Sequence, residues 1–381
     1  MATRYWVGGT GTWDASSTTN WSATSGGAGG ASAPVAADTV IFDSSSGTGI
    51  CTTASGAVCS AVTFNTATVT LVLGANFTMG GTFTLTAGTL DINSYTLTCN
   101  TISSISTNAR TLAFGSTGKF VVTRTANITY AVDTYNATTL TTITGTPTFE
   151  FTGNFSASNG LRSSNVNDVP VNVYVKSGTG TFNLASGYSY ENVDFTGFSG
   201  TLQNGGYNIY GDLTLASGMI ITAGTGLLSF RKTSGTQKVM MNGLTYDRPI
   251  TINGAGGTVE FQDALTQGST RAFTITVGTV KLKAGVTSTV GSFVATSASA
   301  KILASTVAGS QATLSQASGI VNANNTTIQD INATGGATWN AFYADGNIDA
   351  GNNTGWEFGG TPAVTTELTY RLRSFTTPRR F

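Results

Sequence analysis

The sequence contains no histidine. Histidine is the commonest general base near neutral pH and the commonest side-chain ligand of metal ions. Its absence excludes Ser-His-Asp and Cys-His catalysis, and it excludes every zinc site that depends on imidazole. Carboxylate-based chemistry would have to draw on the 18 Asp and Glu residues of the chain.

Charged side chains are also scarce, because they make up 9% of the 381 residues, against roughly 25% in an ordinary globular protein. The 18 Lys and Arg residues equal the 18 Asp and Glu residues, so the formal net charge is zero. Nucleic acids and anionic membranes favour proteins with a basic excess. We therefore expect no nucleic-acid partner, and the lack of an apolar run of about 18 residues argues against membrane insertion.

Only three cysteines are present, Cys51, Cys59 and Cys99, and none belongs to a CxxC pair. An odd number without paired spacing does not indicate a disulfide framework, and a single Cys51–Cys59 bridge is the remaining alternative. Free cysteine is among the most buried residue types. We predict three small buried thiols.

The sequence does contain a regular alternation of apolar residues with Thr, Asn and Gly. Between residues 69 and 92 the apolar residues recur with period two, which is typical of half-buried β-strands. The segment 273–282 repeats the pattern. The residues predicted to point into the core are Val69, Leu71, Leu73, Phe77, Met79, Phe83, Leu85, Leu90, Ile92, Phe273, Ile275, Val277, Val280 and Leu282.

A degenerate repeat of the form Gly-Thr-apolar-x-apolar runs through these strands. Some neighbouring copies begin 20 or 21 residues apart, at 180 and 200 and at 257 and 278. A period near 20 indicates a solenoid, and in a chain of short strands with Gly and Asn turns that solenoid is a β-helix. The copies are GTFTL at 81, GTLDI at 88, GTFNL at 180, GTVEF at 257, GTVKL at 278 and the partial copy GTLQN at 200.

We therefore predict an all-β protein that folds as a right-handed parallel β-helix with caps at both ends. A row of tandem β-sandwich domains is the alternative. Each coil would bury its apolar face only by stacking on its neighbours, while Asn and Gly supply the tight corners. About fourteen coils of about 21 residues, stacked about 4.8 Å apart, would form a rod about 65 Å long.

All five tryptophans lie near the two ends of the sequence and none lies in the repeating body. A solenoid has two open ends, and each needs a cover against edge-to-edge association. We interpret the tryptophans as capping or interaction residues. They are Trp6, Trp13, Trp21, Trp339 and Trp356.

The predicted organisation has three parts: a cap or attachment module at 1–60, a solenoid body at 61–358 and an Arg-rich tail at 359–381. The tail places four of the 18 basic residues in the last eleven positions. A solvated tail is one interpretation, but interleaved apolar residues favour an arm that docks on a neighbouring subunit. The docking residues would be Arg371, Arg373, Phe375, Arg379, Arg380 and Phe381.

The segment YWVGGTGTWDASSTTNWSATSGGAGGASAPVAADTVIFD, residues 5–43, resembles a module at the start of bacteriophage virion proteins and some bacterial surface proteins. The matching positions include Trp13, Asn20, Trp21 and Pro34. The ending at 328–358, with its GNNTGW, looks like the closing coils of β-helical phage and surface proteins. Because the N-terminus MATRYWVGG lacks the apolar region of a secretory signal, the phage branch fits better than the secreted one.

The resemblance implies a non-enzymatic virion structural protein, a fibre or capsid-decorating component made in the host cytoplasm. It would assemble as a homotrimer and contact capsid, tail or baseplate proteins. The alternative is a tail fibre or tailspike that attaches to host surface polysaccharide, and the third possibility is a depolymerase that cleaves it. None of these roles requires a cofactor.

A depolymerase would need two carboxylates on either side of the glycosidic bond. Glu191 and Asp194 are a candidate pair, but a spacing of three residues in a regular strand puts them on opposite faces. Asp345, Asn347 and Asp349 alternate as calcium ligands do, yet the loop lacks a closing Glu and such residues are typical of turns. We predict no catalytic residues and no metal site.

Tyrosines crowd the region between residues 174 and 210. Exposed tyrosines on the flank of a β-helix would stack on sugars, whereas buried ones would pack between coils or at a subunit interface, where Tyr is enriched. We favour packing and retain glycan contact as the alternative. The candidate residues are Tyr174, Tyr188, Tyr190, Tyr207 and Tyr210.

Overall fold

The computed structural model of the chain describes residues 1–123, 132–133, 141–155, 161–162, 169–184, 186 and 188–359. In these residues the chain forms 40 β-strands, and its one helical element is a turn of 3-10 helix at Tyr343–Asp345. No helix in this described part is long and apolar enough to cross a bilayer.

The strands are short, and they follow one another closely along the chain. The first twenty are β1 (Thr3–Trp6), β2 (Gly11–Trp13), β3 (Trp21–Ser22), β4 (Thr39–Phe42), β5 (Gly49–Thr53), β6 (Val58–Cys59), β7 (Ala61–Leu73), β8 (Phe77–Met79), β9 (Thr82–Asp91), β10 (Thr96–Cys99), β11 (Thr101–Ser103), β12 (Arg110–Ala113), β13 (Lys119–Val122), β14 (Val132–Asp133), β15 (Thr141–Thr144), β16 (Thr148–Phe151), β17 (Leu161–Arg162), β18 (Val171–Val175), β19 (Thr181–Leu184) and β20 (Ser189–Asp194). The others are β21 (Thr201–Asn204), β22 (Tyr207–Ile209), β23 (Leu213–Thr214), β24 (Ile220–Ile221), β25 (Leu228–Phe230), β26 (Thr236–Met240), β27 (Thr245–Tyr246), β28 (Ile250–Phe261), β29 (Thr266–Gln267), β30 (Ala272–Leu282), β31 (Thr287–Val290), β32 (Ser292–Val294), β33 (Lys301–Ser305), β34 (Ala312–Gln316), β35 (Ile320–Asn322), β36 (Thr326–Gln329), β37 (Ile331–Gly335), β38 (Thr338–Asn340), β39 (Ile348–Asp349) and β40 (Trp356–Glu357).

The strands stack in parallel, each on the strand one coil earlier. The coil made of β4, β5 and β6 shows the cross-section, because β7 lies on both β4 and β5 while β8 lies on β6. The coils therefore have three sides, and the chain winds through about 13 turns of a β-solenoid. At about 4.8 Å per coil the rod is about 60 Å long. The predicted β-helical architecture is confirmed, and the tandem β-sandwich alternative is wrong.

The alternation in the sequence marks the core correctly with one exception. Thirteen of the fourteen residues predicted to point inward are buried, whereas Val277 is only half-buried. Strand β30 turns a corner between Ile275 and Val280, where its register on β28 shifts and Gly278 has a φ of 100°. The corner interrupts the alternation of inward and outward side chains. Val277 therefore does not point into the core with Ile275 before the corner or with Val280 after it.

The three cysteines are free thiols, as predicted, and all are buried in the core. Burial raises the pKa of each thiol, in the case of Cys59 to about 12. Since the thiolate is the reactive form, these groups are chemically inert and serve as small apolar residues.

Aromatic rings form clusters along the axis of the solenoid, with neighbouring centroids 4.9–6.3 Å apart. A fully buried side chain of this size stabilises the fold by about 1.5–3 kcal/mol, and each ring pair adds about 0.5–1.5 kcal/mol. The rings therefore join consecutive coils into one stiff core. From the N-terminal end, the larger clusters comprise Trp6, Trp13, Trp21, Phe42, Phe64 and Phe77; Phe114, Phe120 and Phe149; Phe151, Phe155, Phe182, Phe195 and Phe198; and Phe261, Phe273, Phe293, Trp339 and Trp356.

The glycine of the Gly-Thr repeat lies against the backbone of the coil below. A Cβ atom at Gly88 would come within 1.9 Å of the Thr66 carbonyl oxygen, and one at Gly180 within 1.5 Å of the Phe155 carbonyl oxygen. Both glycines also have a positive φ, of 86° and 85°, which other residues adopt at a cost. The glycine of the repeat therefore allows two coils to stack, since any side chain at this position would clash with the carbonyl oxygen of the coil below.

One side of the solenoid divides in two at β20. Tyr190 and Val193 both point inward although three positions apart, because β20 carries a bulge opposite β18. β20 pairs with β22 through Ser189 and Tyr190, before the bulge, and with β23 through Val193 and Asp194, after it. The buried Gln237 amide donates to the carbonyls of Ile209 (3.0 Å) and Gly211 (2.7 Å), which lie where the two strands separate. A side chain thus satisfies backbone groups at the division of the sheet.

The predicted boundary at residue 60 lies between β6 and β7. The parallel pairings run across it, because β7 lies directly on β4 and β5. The N-terminal residues are thus built into the same stack as the body.

Two adjacent glycines provide a matched test of the stacking contact. A Cβ at Gly81 would lie 2.6 Å from the Ser60 carbonyl oxygen, whereas one at Gly80 would have no atom within 4 Å. We expect Gly81→Ala to lower the free energy of unfolding by about 1–3 kcal/mol through overpacking. Gly80→Ala should leave it within about 0.5 kcal/mol or raise it slightly. Urea unfolding of both variants measures the difference, and equal stabilities would contradict the stacking role.

Candidate functional site

The three N-terminal tryptophans form one buried cluster at the beginning of the solenoid. Trp6, Trp13 and Trp21 have no exposed surface, and Trp21 meets the other two edge to face at 5.1 and 5.2 Å. Trp6 stacks on Phe42 and Trp13 contacts Phe77, so the cluster continues into the next coils. Buried rings cannot serve as a platform for a ligand. They fill the interior of the first coil, as the cap interpretation expects.

Two structural devices hold this end closed. Strand β3 pairs antiparallel with β1 and covers its outer edge. The buried Asp38 carboxylate accepts hydrogen bonds from the Ala2 and Val35 amides, at 2.6 and 3.3 Å. Burial raises the pKa of Asp38, but these bonds and the Arg4 charge outweigh burial, so the pKa lies below its ordinary value. The ionised carboxylate thus ties the chain start to the second coil.

The C-terminal tryptophans are arranged less tightly. Trp339 is buried and its ring centroid lies 5.0 Å from that of Trp356. Trp356 remains half-buried, as does Phe358 after it. Strand β40 lies on β38 and β39 lies on β36, and neither has a partner strand on its other edge within the described residues. Among the residues that the structure describes, no strand covers the last coil as β3 covers β1.

The predicted docking residues, Arg371, Arg373, Phe375, Arg379, Arg380 and Phe381, lie outside the described residues.

The five candidate tyrosines separate into two groups. Tyr190 and Tyr207 are buried, with ring centroids 5.8 Å apart, and the Tyr207 hydroxyl lies 3.4 Å from that of Tyr246. These two rings pack between coils and cannot contact a glycan, because neither offers a face to solvent. The half-buried Tyr174, Tyr188 and Tyr210 are the members of the set with accessible surface.

Tyr174 borders a surface depression of about 360 Å³ on the outer face of β18, β20 and β23. In-register pairing sets Tyr174 beside Asp194, and Asp194 beside Thr214. The depression brings an aromatic ring together with two carboxylates. Its lining residues are Tyr174, Asn192, Val193, Asp194, Asp212 and Thr214.

The sequence-based placement of Glu191 and Asp194 on opposite faces of the strand is wrong. Because the bulge in β20 turns both Tyr190 and Val193 inward, Glu191, Asn192 and Asp194 all retain access to solvent on the outside. A bulge inserts one residue and changes the side of every later residue in the strand. The two carboxylates therefore share one side of the solenoid.

The charges around the depression perturb one another. Lys176 forms an ion pair with Asp194, and its ammonium lies 5.0 Å from the centre of the Tyr174 ring. Burial raises the pKa of Asp194, but hydrogen bonds from Lys176 and Thr196 outweigh it and the net pKa is below the ordinary value. Burial raises the pKa of Glu191 and exceeds the opposing effect of Lys232. The two carboxyls are thus shifted in opposite directions.

A ladder of polar side chains runs along the axis beside the depression. The side-chain oxygen of Asn172 accepts hydrogen bonds from the backbone and side-chain amides of Asn192. The side-chain oxygen of Asn192 accepts one from the backbone amide of Asp212 (2.8 Å). Asp212 in turn accepts from the Lys238 backbone at 2.7 Å. Because each member bonds to the next coil, the ladder fixes the floor of the depression. Sequence reasoning missed these residues, although their spacing of 20 positions at 172, 192 and 212 equals the repeat.

In the acidic turn near the C-terminus, Asn347 and Asp349 bond to backbone groups. Asn347 is buried, its amide donates to the Ala323 and Phe342 carbonyls, and its oxygen accepts from Thr326. Asp349 accepts from the Gly351 amide. Within the described residues no group of three or more Cys, Asp and Glu side chains is arranged to hold a metal ion.

Comparison of the chain with protein-family models, with curated proteins and with solved structures gives no match in any of the three.

The ion pair at the depression has a testable effect on pH-dependent stability. Lys176→Met should raise the pKa of Asp194, because burial then acts without its strongest opposing contact. A carboxyl whose folded pKa is depressed contributes stability above its unfolded pKa, near 3.8, and loses it as pH falls. We therefore expect the Tm deficit of the variant to be largest between pH 5 and pH 7 and to shrink below about pH 4.

Lys283→Met, at an exposed lysine on a later coil, removes the same charge and is the matched control. Thermal melts from pH 3 to pH 7 measure both variants. A Tm deficit for Lys176→Met that is independent of pH would contradict the role assigned to the pair.

Proposed function

We propose that this chain is a non-enzymatic structural rod of a bacteriophage virion, a fibre or capsid-decorating component that assembles by protein–protein contacts. The observation that supports the proposal is the aromatic and aliphatic core that runs through the described coils and packs each coil on the next. A rod joined by packing in every coil resists bending and separation of its coils. The virion assignment depends on the resemblance of the N-terminal and C-terminal segments.

The composition supports the same role. Many exposed positions carry Thr, Ser or Asn, and charged residues make up only 9% of the chain. Sparsely charged flanks can approach other flanks closely without desolvating many ions. We propose that the rod forms a homotrimer by lateral contact and that it joins other virion proteins.

The structural proposal is tested on purified particles and on the isolated protein. We expect the chain in mass spectra of purified virions, and immunogold label at one class of position on the particle. Analytical ultracentrifugation should give a mass three times the 39.0 kDa of one chain. Absence from particles would contradict the virion role, and a monomeric mass at micromolar concentration would contradict the trimer.

The second candidate function is attachment to a host surface polysaccharide, and the depression beside Tyr174 is the observation that favours it. A half-exposed ring provides a stacking face for a sugar, and Asn192, Asp194 and Asp212 provide hydrogen-bond acceptors around it. Cleavage of a glycan would need a pair of carboxyls, and Glu191 and Asp194, on the same side of the solenoid, are the candidate pair. Cleavage is the less supported form of this function.

Binding is measured by titrating host polysaccharide into the protein. Tyr174→Ala should weaken binding about tenfold, since truncating an aromatic anchor of a binding surface costs about 1–2 kcal/mol. Tyr95→Ala, at a partly exposed tyrosine on a distant coil, is the control. Equal affinity of both variants would exclude this surface, and release of reducing sugar that Asp194→Asn abolishes would show cleavage.

A further inference from the structure

The first coils of the rod carry very few charges. Residues 5–118, all of which lie in the described part of the chain, contain five charged residues, whereas residues 119–359 contain 25. Two of the five, Asp38 and Arg110, are buried. The other three each accept a hydrogen bond from the backbone amide two residues later, and they are Asp14, Asp43 and Asp91. Residues 5–118 therefore form a neutral third of the rod, in which the few charges are bonded locally.

A groove of about 590 Å³ lies on the neutral third, where β7 and β9 bend from one side of the solenoid to the next. It is lined by Ser44, residues 65–68, Ala87 and residues 107–109. All nine lining residues are uncharged, and they contribute methyl, hydroxyl and amide groups. The groove fits an uncharged partner surface, because an ion placed in it would lose water without gaining an opposite charge.

Hydroxyl side chains border the groove on both sides of the bend. Stacking in register aligns Thr63, Thr84 and Ser103 on one side and Thr70, Thr89 and Thr111 on the other. The four coils from β4 to β12 extend about 19 Å along the rod, and the thirteen residues of β7 span about 40 Å across both sides. This surface measures about 800 Å², which is the area that one partner of a standard interface buries.

A buried cation fixes one wall of the groove. The Arg110 guanidinium donates a hydrogen bond to the Ser104 hydroxyl at 3.0 Å. It also donates to the carbonyl oxygens of Ser106 and Asn108, at 2.5 and 2.7 Å. These bonds hold the loop before β12, of which residues 107–109 line the groove. A wall that is already ordered in the free chain loses little conformational entropy on contact.

The same arrangement recurs later in the chain, in charged surroundings. Strands β28 and β30 bend as β7 and β9 do, and the buried Lys301 donates to the Ser297 and Ser299 carbonyls, both at 2.7 Å. A Cβ at Gly254 in this bend would lie 1.9 Å from the Lys232 carbonyl oxygen, so the bend lies against a basic residue. Two bends of similar construction thus differ in their charge, and the later one provides matched control positions.

We propose that the groove, with the two sides that border it, is the lateral interface between copies of this rod. The inference rests on the homotrimer proposed above and names its contact surface. Copies in a closed ring stand at one height, so the groove of one copy meets the neutral third of the next. Contact there buries hydroxyl and methyl groups, whereas contact further along the rod would strip water from ions.

Thiol labelling tests whether the groove is covered when copies associate. Ala67 in the groove and Ala255 in the bend of β28 are both exposed, and the three native thiols are buried. We expect maleimide labelling of Ala67→Cys to slow about tenfold when the protein is concentrated from its monomeric into its assembled range. Labelling of Ala255→Cys should keep its rate.

The outcomes separate this interface from the trimer itself. A constant rate for Ala67→Cys, while the wild type assembles, would overturn the interface and leave a homotrimer that uses another surface. A wild type that stays monomeric would overturn both. Slower labelling of dilute Ala67→Cys on addition of dextran, without any effect of protein concentration, would assign the groove to a neutral glycan and overturn contact between copies.

A charge placed in the groove provides the second measurement. Ala67→Arg should raise the dissociation constant of the assembly at least about tenfold, because the interface would bury an unpaired ion. Ala255→Arg, with the same change at the later bend, should leave the constant unchanged. Analytical ultracentrifugation measures both variants, and circular dichroism melts check that both remain folded. Equal dissociation constants for the two folded variants would overturn the interface.

Discussion

Close contact between the backbones of successive coils is the constraint on which the structure depends. A coil of this chain cannot bury its apolar residues alone, and it gains a core only when the next coil lies one strand spacing away. At Gly88 and Gly180 that spacing leaves no room for a side chain between one coil and the carbonyl oxygen of the coil below. The Gly-Thr repeat is therefore a consequence of stacking. Glycine permits the approach, and the apolar residues that follow it point into the core that the approach creates.

Stacking also brings residues that are one coil apart in the sequence into contact along the rod. Residues about 20 positions apart become neighbours, so Asn172, Asn192 and Asp212 form a continuous hydrogen-bonded ladder. The same geometry sets Tyr174 beside Asp194 across one strand spacing. Because the interior is filled, the surface chemistry of this protein has to arise from such outward rows. The depression at Tyr174 is a place where a ring, an ion pair and two carboxylates coincide, and it lies where β20 bulges and its side of the solenoid divides.

The sequence predicts the regular part of this architecture well, because period two and the 20-residue repeat are direct results of strand geometry and stacking. Both patterns mispredict the side of the strand on which a residue lies wherever the strand is irregular. Val277 lies at a corner, and Glu191 and Asp194 lie on either side of a bulge, so counting residues assigns them to the wrong side. The sequence does not show which of the clustered tyrosines are exposed, for a different reason. Tyr190 and Tyr207 lie in inward rows and Tyr174 lies in an outward one, and composition cannot distinguish these until the register of each strand is known.

The tryptophans lie at the two ends of the solenoid because a terminal coil has no second neighbour to stack on. In the body each coil is covered on both sides, so residues of moderate size such as Val, Leu and Phe fill it. The first coil has a neighbour on one side only, and the missing coil has to be replaced by larger side chains and by a strand that closes the edge. Trp6, Trp13 and Trp21 with β3 meet both needs. Trp339 and Trp356 provide large side chains at the C-terminal end, but no strand closes the outer edge of β40 within the described chain. Within the described residues a strand covers the first coil and none covers the last, so the two ends of the rod differ.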